Sequence, residues 1–174
     1  CVRCAPSSRA ACGNRPSFVS GDVWREPGSG STPRAMSLDD VYESFELLED
    51  WSERYRFLIE LGEELAPMDD ALKTDATKVK GCLSQVWVVG RREGDVMRFS
   101  ADSDAHIVKG LVALVMRMFD GKSPAEIVAF DHRAVLARLG LDKHLSPGRS
   151  NGLHSMIKRI VALAEAELAS GAHA

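Results

Sequence analysis

Cysteine is nearly absent beyond the first dozen residues: from Phe18 to the C-terminus only Cys82 carries a thiol. A cluster or zinc site held by several thiolates is therefore excluded from that region, as is a disulfide framework. Long apolar runs are also missing. The longest, Leu111 to Met116, is far short of the ~20 residues that cross a bilayer. Neither sign of charge dominates, with a net charge of -3 and a pI near 6.0. No basic run is interleaved with aromatics, so neither a nucleic acid nor a membrane is expected as a partner. The chain has no GxxxxGKS or GxxxxGKT loop, no glycine-rich dinucleotide turn, no GxSxG elbow and no HExxH. The histidines His106, His132, His144, His154 and His173 are scattered. The acidic pairs Asp39-Asp40, Glu63-Glu64 and Asp69-Asp70 read as helix termini or loop charges.

With 174 residues and 45% hydrophobic content, the chain can build one proper core. Residues 1–35 stand apart from it. They hold Cys1, Cys4 and Cys12 among the polar, proline- and glycine-rich stretches Pro6-Ser7-Ser8 and Pro27 to Pro33. Such a composition does not pack, so a disordered N-terminal extension is expected there. Cys1 and Cys4 have CxxC spacing, but no second pair or nearby histidine completes a zinc site. Met36, directly before a helix start, reads as the natural first residue of a single domain over residues 36–174.

From Ser37 the pattern is regular. Ser37, followed by Asp39 and Asp40, reads as an N-cap, with Val41, Phe45 and Leu48 at helical spacing. Asp50 and Glu53 read as a capping box for a second helix carrying Leu58, Ile59, Leu61 and Leu65. The two helices are expected to pair as a hairpin. After a polar loop, Val86 to Val89 and Val96 to Ser100 flank a glycine-containing turn and predict an antiparallel β-hairpin. A short third strand is expected around Val79. Ser103-Asp104 then reads as the cap of a helix that is apolar nearly all round, from Ile107 to Phe119. Ser123-Pro124 opens a short helix, His132 to Leu139 forms another, and Ser146-Pro147-Gly148 precedes a long amphipathic one. The expected class is α+β, a small antiparallel sheet of about three strands flanked by helices.

Cys82 sits at a strand connection in this arrangement, where chemistry is usually placed. A lone cysteine commonly fills a gap as a small hydrophobe. Four neighbours point instead to a nucleophile: Gly81 frees the backbone to present the sulfur, and Ser84 can hydrogen-bond an anion. Lys78 and Lys80 are expected to lower the thiol pKa, and Gln85 is polar where a packed site would be apolar. A second constellation, Leu145 to Leu153 (LSPGRSNGL), combines a helix N-terminus with Arg149, a pairing suited to anions.

GCLSQVW, ADSDAHIVKGL and LSPGRSNGL, in that order, together resemble the SufE family of sulfur-acceptor proteins. The likeness runs from about Met36 to the end of the last helix. It implies a SufE/IscU-like fold and a carrier that takes persulfide sulfur from a pyridoxal-phosphate cysteine desulfurase of the SufS or CsdA type. The carrier would also stimulate that enzyme and pass the sulfur to an iron–sulfur scaffold of the SufBCD type, in the cytoplasm and without a cofactor of its own. Carried over residue by residue, Cys82 matches the nucleophile, Arg149 the nearby arginine, and Asp104 the acidic residue of the SDA motif, a structural role. Leu83 stands where relatives often carry Gln. Three other classes compete with sulfur transfer. A cluster scaffold lacks ligands, and a redox sensor lacks a resolving cysteine near Cys82. A non-catalytic module that activates a desulfurase by contact alone differs in one respect: it would keep its full effect without Cys82.

Overall fold

A computed structural model describes residues 36–171; the expected extension over residues 1–35, with Cys1, Cys4 and Cys12, lies outside the described residues. In chain order the elements are α1 (Leu38–Leu47), α2 (Trp51–Glu63), a 3-10 turn (Asp70–Leu72), β1 (Val86–Glu93) and β2 (Val96–Ser103). There follow α3 (His106–Phe119), α4 (Pro124–Ala129), α5 (His132–Arg138), α6 (Leu141–His144) and α7 (Pro147–Gly171). The class is α+β, as expected. Helix α3 is the hub: Leu111 to Val115 are fully buried along it, and α1, α2, β2 and α7 all pack against it. A helix apolar around its whole circumference is stable only when neighbours enclose it.

Capping follows the sequence at two of the starts. Ser37 and Asp40 form a capping box at α1, as Ser123 and Glu126 do at α4. At α2, Asp50 occupies the cap position but makes no side-chain cap bond, so the expected Asp50–Glu53 box is absent. The α1–α2 pairing also differs from expectation. Phe45 meets Phe57 edge to face at 5.8 Å, but the main partner of α2 is α3. The reason is a glycine pair. A Cβ added at Gly62 would lie 2.7 Å from the Gly110 nitrogen, and one at Gly110 only 2.1 Å from the Leu58 carbonyl oxygen. The two backbones touch where they cross, which only missing side chains allow.

The strands pair antiparallel from Val86↔Ser103 to Glu93↔Val96. The turn is therefore Gly94-Asp95 alone, and the strands extend further than the sequence suggested. Gly94, at φ 61°, supplies the left-handed residue that a two-residue hairpin turn favours. The third strand expected near Val79 is a single bridge, Lys78↔Trp87, and the sheet has two strands. Gly81, at φ 89°, turns the chain away before a ladder can grow. On α7, Arg159 ties the helix to both segments by donating to the carbonyls of Val88 and Ala76, each at 2.9 Å. Among the described residues no helix is long and apolar enough to cross a membrane.

Replacing Gly110 by Ala sets two effects against each other. Alanine improves intrinsic helix propensity by roughly 1 kcal/mol, while overpacking a core contact costs about 1–3 kcal/mol. The obstructing atom is a backbone oxygen that no rotamer change can remove, so the steric cost wins. Urea unfolding of Gly110→Ala is expected to show a clearly lower midpoint with an unchanged slope. A midpoint equal to that of the wild type would mean the helix crossing has slack.

Candidate functional site

The site is built on a pinched loop. Val79 N–H donates to the Val86 carbonyl at 2.8 Å, and both side chains are buried, so the chain between them leaves the sheet and returns at one point. That excursion carries Cys82. Its far end is clamped from β2. The Gln85 N–H donates to Asp104 Oδ1 at 3.0 Å, and the Gln85 carbonyl accepts from Ser103 Oγ at 2.9 Å and from the Asp104 N–H at 3.2 Å. Both backbone groups of Gln85 are thus held.

This clamp corrects one expectation. Ser103 and Asp104 were expected to cap α3, but the cap position falls on Ala105, which makes no side-chain cap bond. The two side chains reach across to the loop instead. Asp104 accepts the Gln85 N–H as it would a helix N–H, and Ser103 Oγ donates to the Gln85 carbonyl while accepting from the Ala105 N–H at 3.4 Å, so the same two residue types suit a helix cap and a loop clamp. Behind the clamp, the buried Asp102 carboxylate receives Lys73 at 2.9 Å and Lys109 at 3.2 Å. Burial pushes its pKa up, but the hydrogen bonds from Lys73, the Ser103 N–H and Lys109 outweigh that and hold it below the ordinary value.

The loop rests on the first turns of α7. Cys82 is half-buried and its thiol donates to the Gly152 carbonyl at 3.5 Å. A Cβ added at Gly152 would lie 3.2 Å from the sulfur, and one at Gly148 would lie 2.3 Å from Leu83 Cδ1. These two glycines are one helical turn apart, so they share a face. That face is bare backbone, and the Cys82 loop occupies the space two side chains would fill. Leu83 is 90% exposed nonetheless, lying over Gly148 with most of its surface in water. The sequence held the signal for this seat, the spacing of Gly148 and Gly152, but not which surface would be laid against it.

Cys82 and Arg149 line one pocket of ≈ 440 Å³, together with Ser84, Ile107, Leu153 and Met156. Arg149 lies in the first turn of α7, exposed, and forms no ion pair among the described residues. The structure therefore brings together the two constellations that the sequence had separated by more than sixty positions. It does not bring in the lysines. Lys78 donates to Gln85 Oε1 at 3.2 Å, and Lys80 lines a different groove, on the other flank of the loop. The lysines therefore do not set the thiol: the Cys82 pKa is pushed up, and the cause is burial. Desolvation disfavours the thiolate, and no cation is close enough to offset it. The carbonyl contact acts in the same direction, since an S–H can donate to Gly152 whereas a thiolate would face a negative dipole. In this position burial and the carbonyl both disfavour the thiolate, the nucleophilic form of the sulfur.

With this geometry in view, comparison with known proteins places the chain. Residues 39–164 match the family model "SufE: Fe-S metabolism associated domain". An uncharacterized SufE-like protein of Rhizobium meliloti is 46% identical over 136 residues, covering 76% of this chain and 97% of that protein. Another, from Rhizobium etli, is 48% identical over 128 residues, covering 71% and 86% respectively. A solution structure of a hypothetical protein from Thermus thermophilus shares the fold, with a TM-score of 0.63 at 22% identity. It covers 77% of this chain and 99% of that one. The chain belongs to the SufE family, whose domain is associated with Fe–S metabolism.

The seat yields a prediction about the sulfur. In Gly152→Ala the new methyl group crowds Cys82, and the loop, held mainly at its ends, gives way before the helix does. The thiol then becomes more hydrated and its pKa falls back toward the ordinary ~8.5. Alkylation by iodoacetamide is expected to be faster than in the wild type at neutral pH, with the midpoint of its pH–rate profile moved to lower pH. An unchanged profile would show that the glycine face does not govern the thiol.

Proposed function

We propose that this protein is a sulfur carrier that accepts persulfide sulfur on Cys82 from a cysteine desulfurase, stimulates that enzyme's turnover, and delivers the sulfur to iron–sulfur cluster assembly. The observation that carries this reading is a lone thiol on a loop seated against a glycine face, sharing its pocket with an unpaired arginine. The partners it implies are a desulfurase of the SufS or CsdA type and a scaffold of the SufBCD type. The pyridoxal phosphate belongs to the desulfurase, so the carrier needs no cofactor of its own. A free thiol as the working group suits a reducing compartment, and the cytoplasm is the place of action that fits.

The transfer is a thiol exchange at sulfur. The Cys82 thiolate attacks the outer sulfur of the donor's cysteine persulfide, E–S–SH. A new S–S bond forms to Cys82, the donor's S–S bond breaks, and the donor cysteine leaves as thiolate. The outer sulfur keeps its proton, and no electrons are gained or lost across the pair of proteins. In the seated position Cys82 is protonated, so the step requires the loop to leave Gly152 and the thiol to lose its proton to solvent or the donor site. Arg149 and the free N–H groups at the start of α7 are the positive groups available to the sulfur anion as the loop moves. Docking of the donor is what displaces the loop. Small thiols and oxidants meet a sheltered sulfur, and the partner meets an exposed one.

Mass spectrometry after incubation with a desulfurase and L-cysteine is expected to find one added sulfur atom on Cys82. Cys82→Ser should acquire none and lose most of its stimulation of the enzyme. Full stimulation by Cys82→Ser would instead favour a module that activates by contact alone. For Arg149→Ala, loss of a charge-assisted hydrogen bond worth roughly 1.5–3 kcal/mol corresponds to a fall of about ten- to a hundredfold in the rate of sulfur loading. Arg149→Lys should recover part of that rate. A loading rate indifferent to Arg149→Ala would leave the arginine as a solvated residue of the first helical turn.

A further inference from the structure

The two lysines that do not serve the thiol have a place of their own. On the opposite flank of the Cys82 loop lies a groove of ≈ 510 Å³ bounded by Lys78, Lys80, Lys158 and Arg159, with Asp75 its one carboxylate. Its apolar lining includes the buried Val79 and the exposed Ala162. In a chain of net charge -3, this concentration of cations runs against the overall balance. Lys80 and Lys158 are exposed, and neither forms an ion pair among the described residues. Arg159 donates instead to the Val88 and Ala76 carbonyls, so it contributes charge while its donors are largely committed.

The groove adjoins the reactive loop. Gly81, next to Cys82, lies against Ser155, and Ser155 also lines the groove; a Cβ at Gly81 would be 3.1 Å from its Oγ. Lys78 and Lys80 form the stem from which the loop leaves the sheet, and Lys78 reaches Gln85 at the loop's other end. A partner that engages this groove therefore grips the base of the loop that has to move.

We infer that the Lys78–Lys80–Lys158 groove is a docking surface for an acidic polypeptide segment of the sulfur-donating protein, a role that rests on the sulfur-acceptor reading of Cys82. The lysines are spread along a loop and a helix face rather than converging on one point, which suits several carboxylates in a row better than one small anion. No aromatic side chain lines the groove to stack on bases, so single-stranded nucleic acid is a poor fit. Charges at such a position speed encounter and fix orientation more than they add final affinity. The donor's cysteine would then arrive beside Cys82 already oriented, with Arg149 on the far side of the loop.

The test uses the full chain carrying Lys80→Glu and Lys158→Glu together. Both residues are exposed, and neither belongs to the pocket that holds Cys82 and Arg149. With a desulfurase and L-cysteine, the concentration of this protein giving half-maximal loading of Cys82 is expected to rise roughly tenfold. Loading at saturation and alkylation of Cys82 by iodoacetamide should stay as in the wild type. The half-maximal concentration of the wild type should climb with salt, and that of the variant should not. In a second arm, a short poly-glutamate peptide should shift the NMR signals of Lys80 and Lys158 in the wild type and leave the variant untouched. Unchanged half-saturation and salt dependence in the variant would overturn the docking role, as would a peptide that binds both proteins alike or neither. An oligonucleotide binding the groove more tightly than the peptide would overturn the assignment to an acidic protein. If wild-type Cys82 never acquires sulfur, the sulfur-acceptor reading fails and the named occupant falls with it. The peptide arm distinguishes that result from failure of the groove itself.

Discussion

The contact between the Cys82 loop and the bare face of α7 is the constraint to which the rest of the site answers. Two missing side chains, at Gly148 and Gly152, let a loop lie directly on helical backbone, with the sulfur 3.5 Å from a carbonyl oxygen. Everything nearby holds that loop at its ends and leaves its middle to the seat. The Val79–Val86 bond closes one end, and the Ser103–Asp104 clamp on Gln85 fixes the other. Fixed ends and a lightly held middle make a loop that can move without unfolding its supports. Energies point the same way, since a few hydrogen bonds worth about 1 kcal/mol each hold the ends, whereas the seated thiol is a weak donor making one bond.

The electrostatics divide along the loop. On one flank, in the pocket with Arg149, burial and a carbonyl disfavour the thiolate. On the other, cations gather where the sulfur is not. A carrier that kept its thiol ionised at rest would expose it to every oxidant and disulfide it met. In the proposed carrier role, separating the charges from the sulfur would give an inert resting state, and reactivity would depend on a change of position rather than on a fixed pKa. Arg149, which lines the same pocket as the sulfur, is exposed and forms no ion pair among the described residues.

Much of this was legible from residues alone. The α+β class, the hairpin, the buried α3 and the caps at Ser37 and Ser123 follow from periodicity and local hydrogen-bonding chemistry. Both act over a few residues. Cys82 stood out for a similar reason, as a lone thiol among polar neighbours at a strand connection. What misled was chemistry with two local outcomes. Ser103 and Asp104 can cap a helix or clamp a loop with the same oxygens. Lys78 and Lys80 are close to Cys82 in sequence, but the turn at Gly81 sends the sulfur to one side of the loop and Lys80 to the other. The Asp50–Glu53 pattern had the spacing of a capping box but did not form one.

By itself, then, the sequence determined most of the elements and marked Cys82 and the LSPGRSNGL segment as the candidates for chemistry, because each depends on residue types within a turn or two. Tertiary structure decided that Gly148 and Gly152 face the loop, that Arg149 shares a pocket with Cys82, and that the thiol is sheltered rather than activated. Those outcomes depend on the docking of α7 against a loop some seventy residues earlier in the chain, the separation of Cys82 from Gly152. Burial and distance exist only after that docking. A pKa set by desolvation cannot be read from neighbours in sequence, because the pocket that Cys82 lines is walled by α3 and α7 as well as by Leu83 and Ser84 of its own loop.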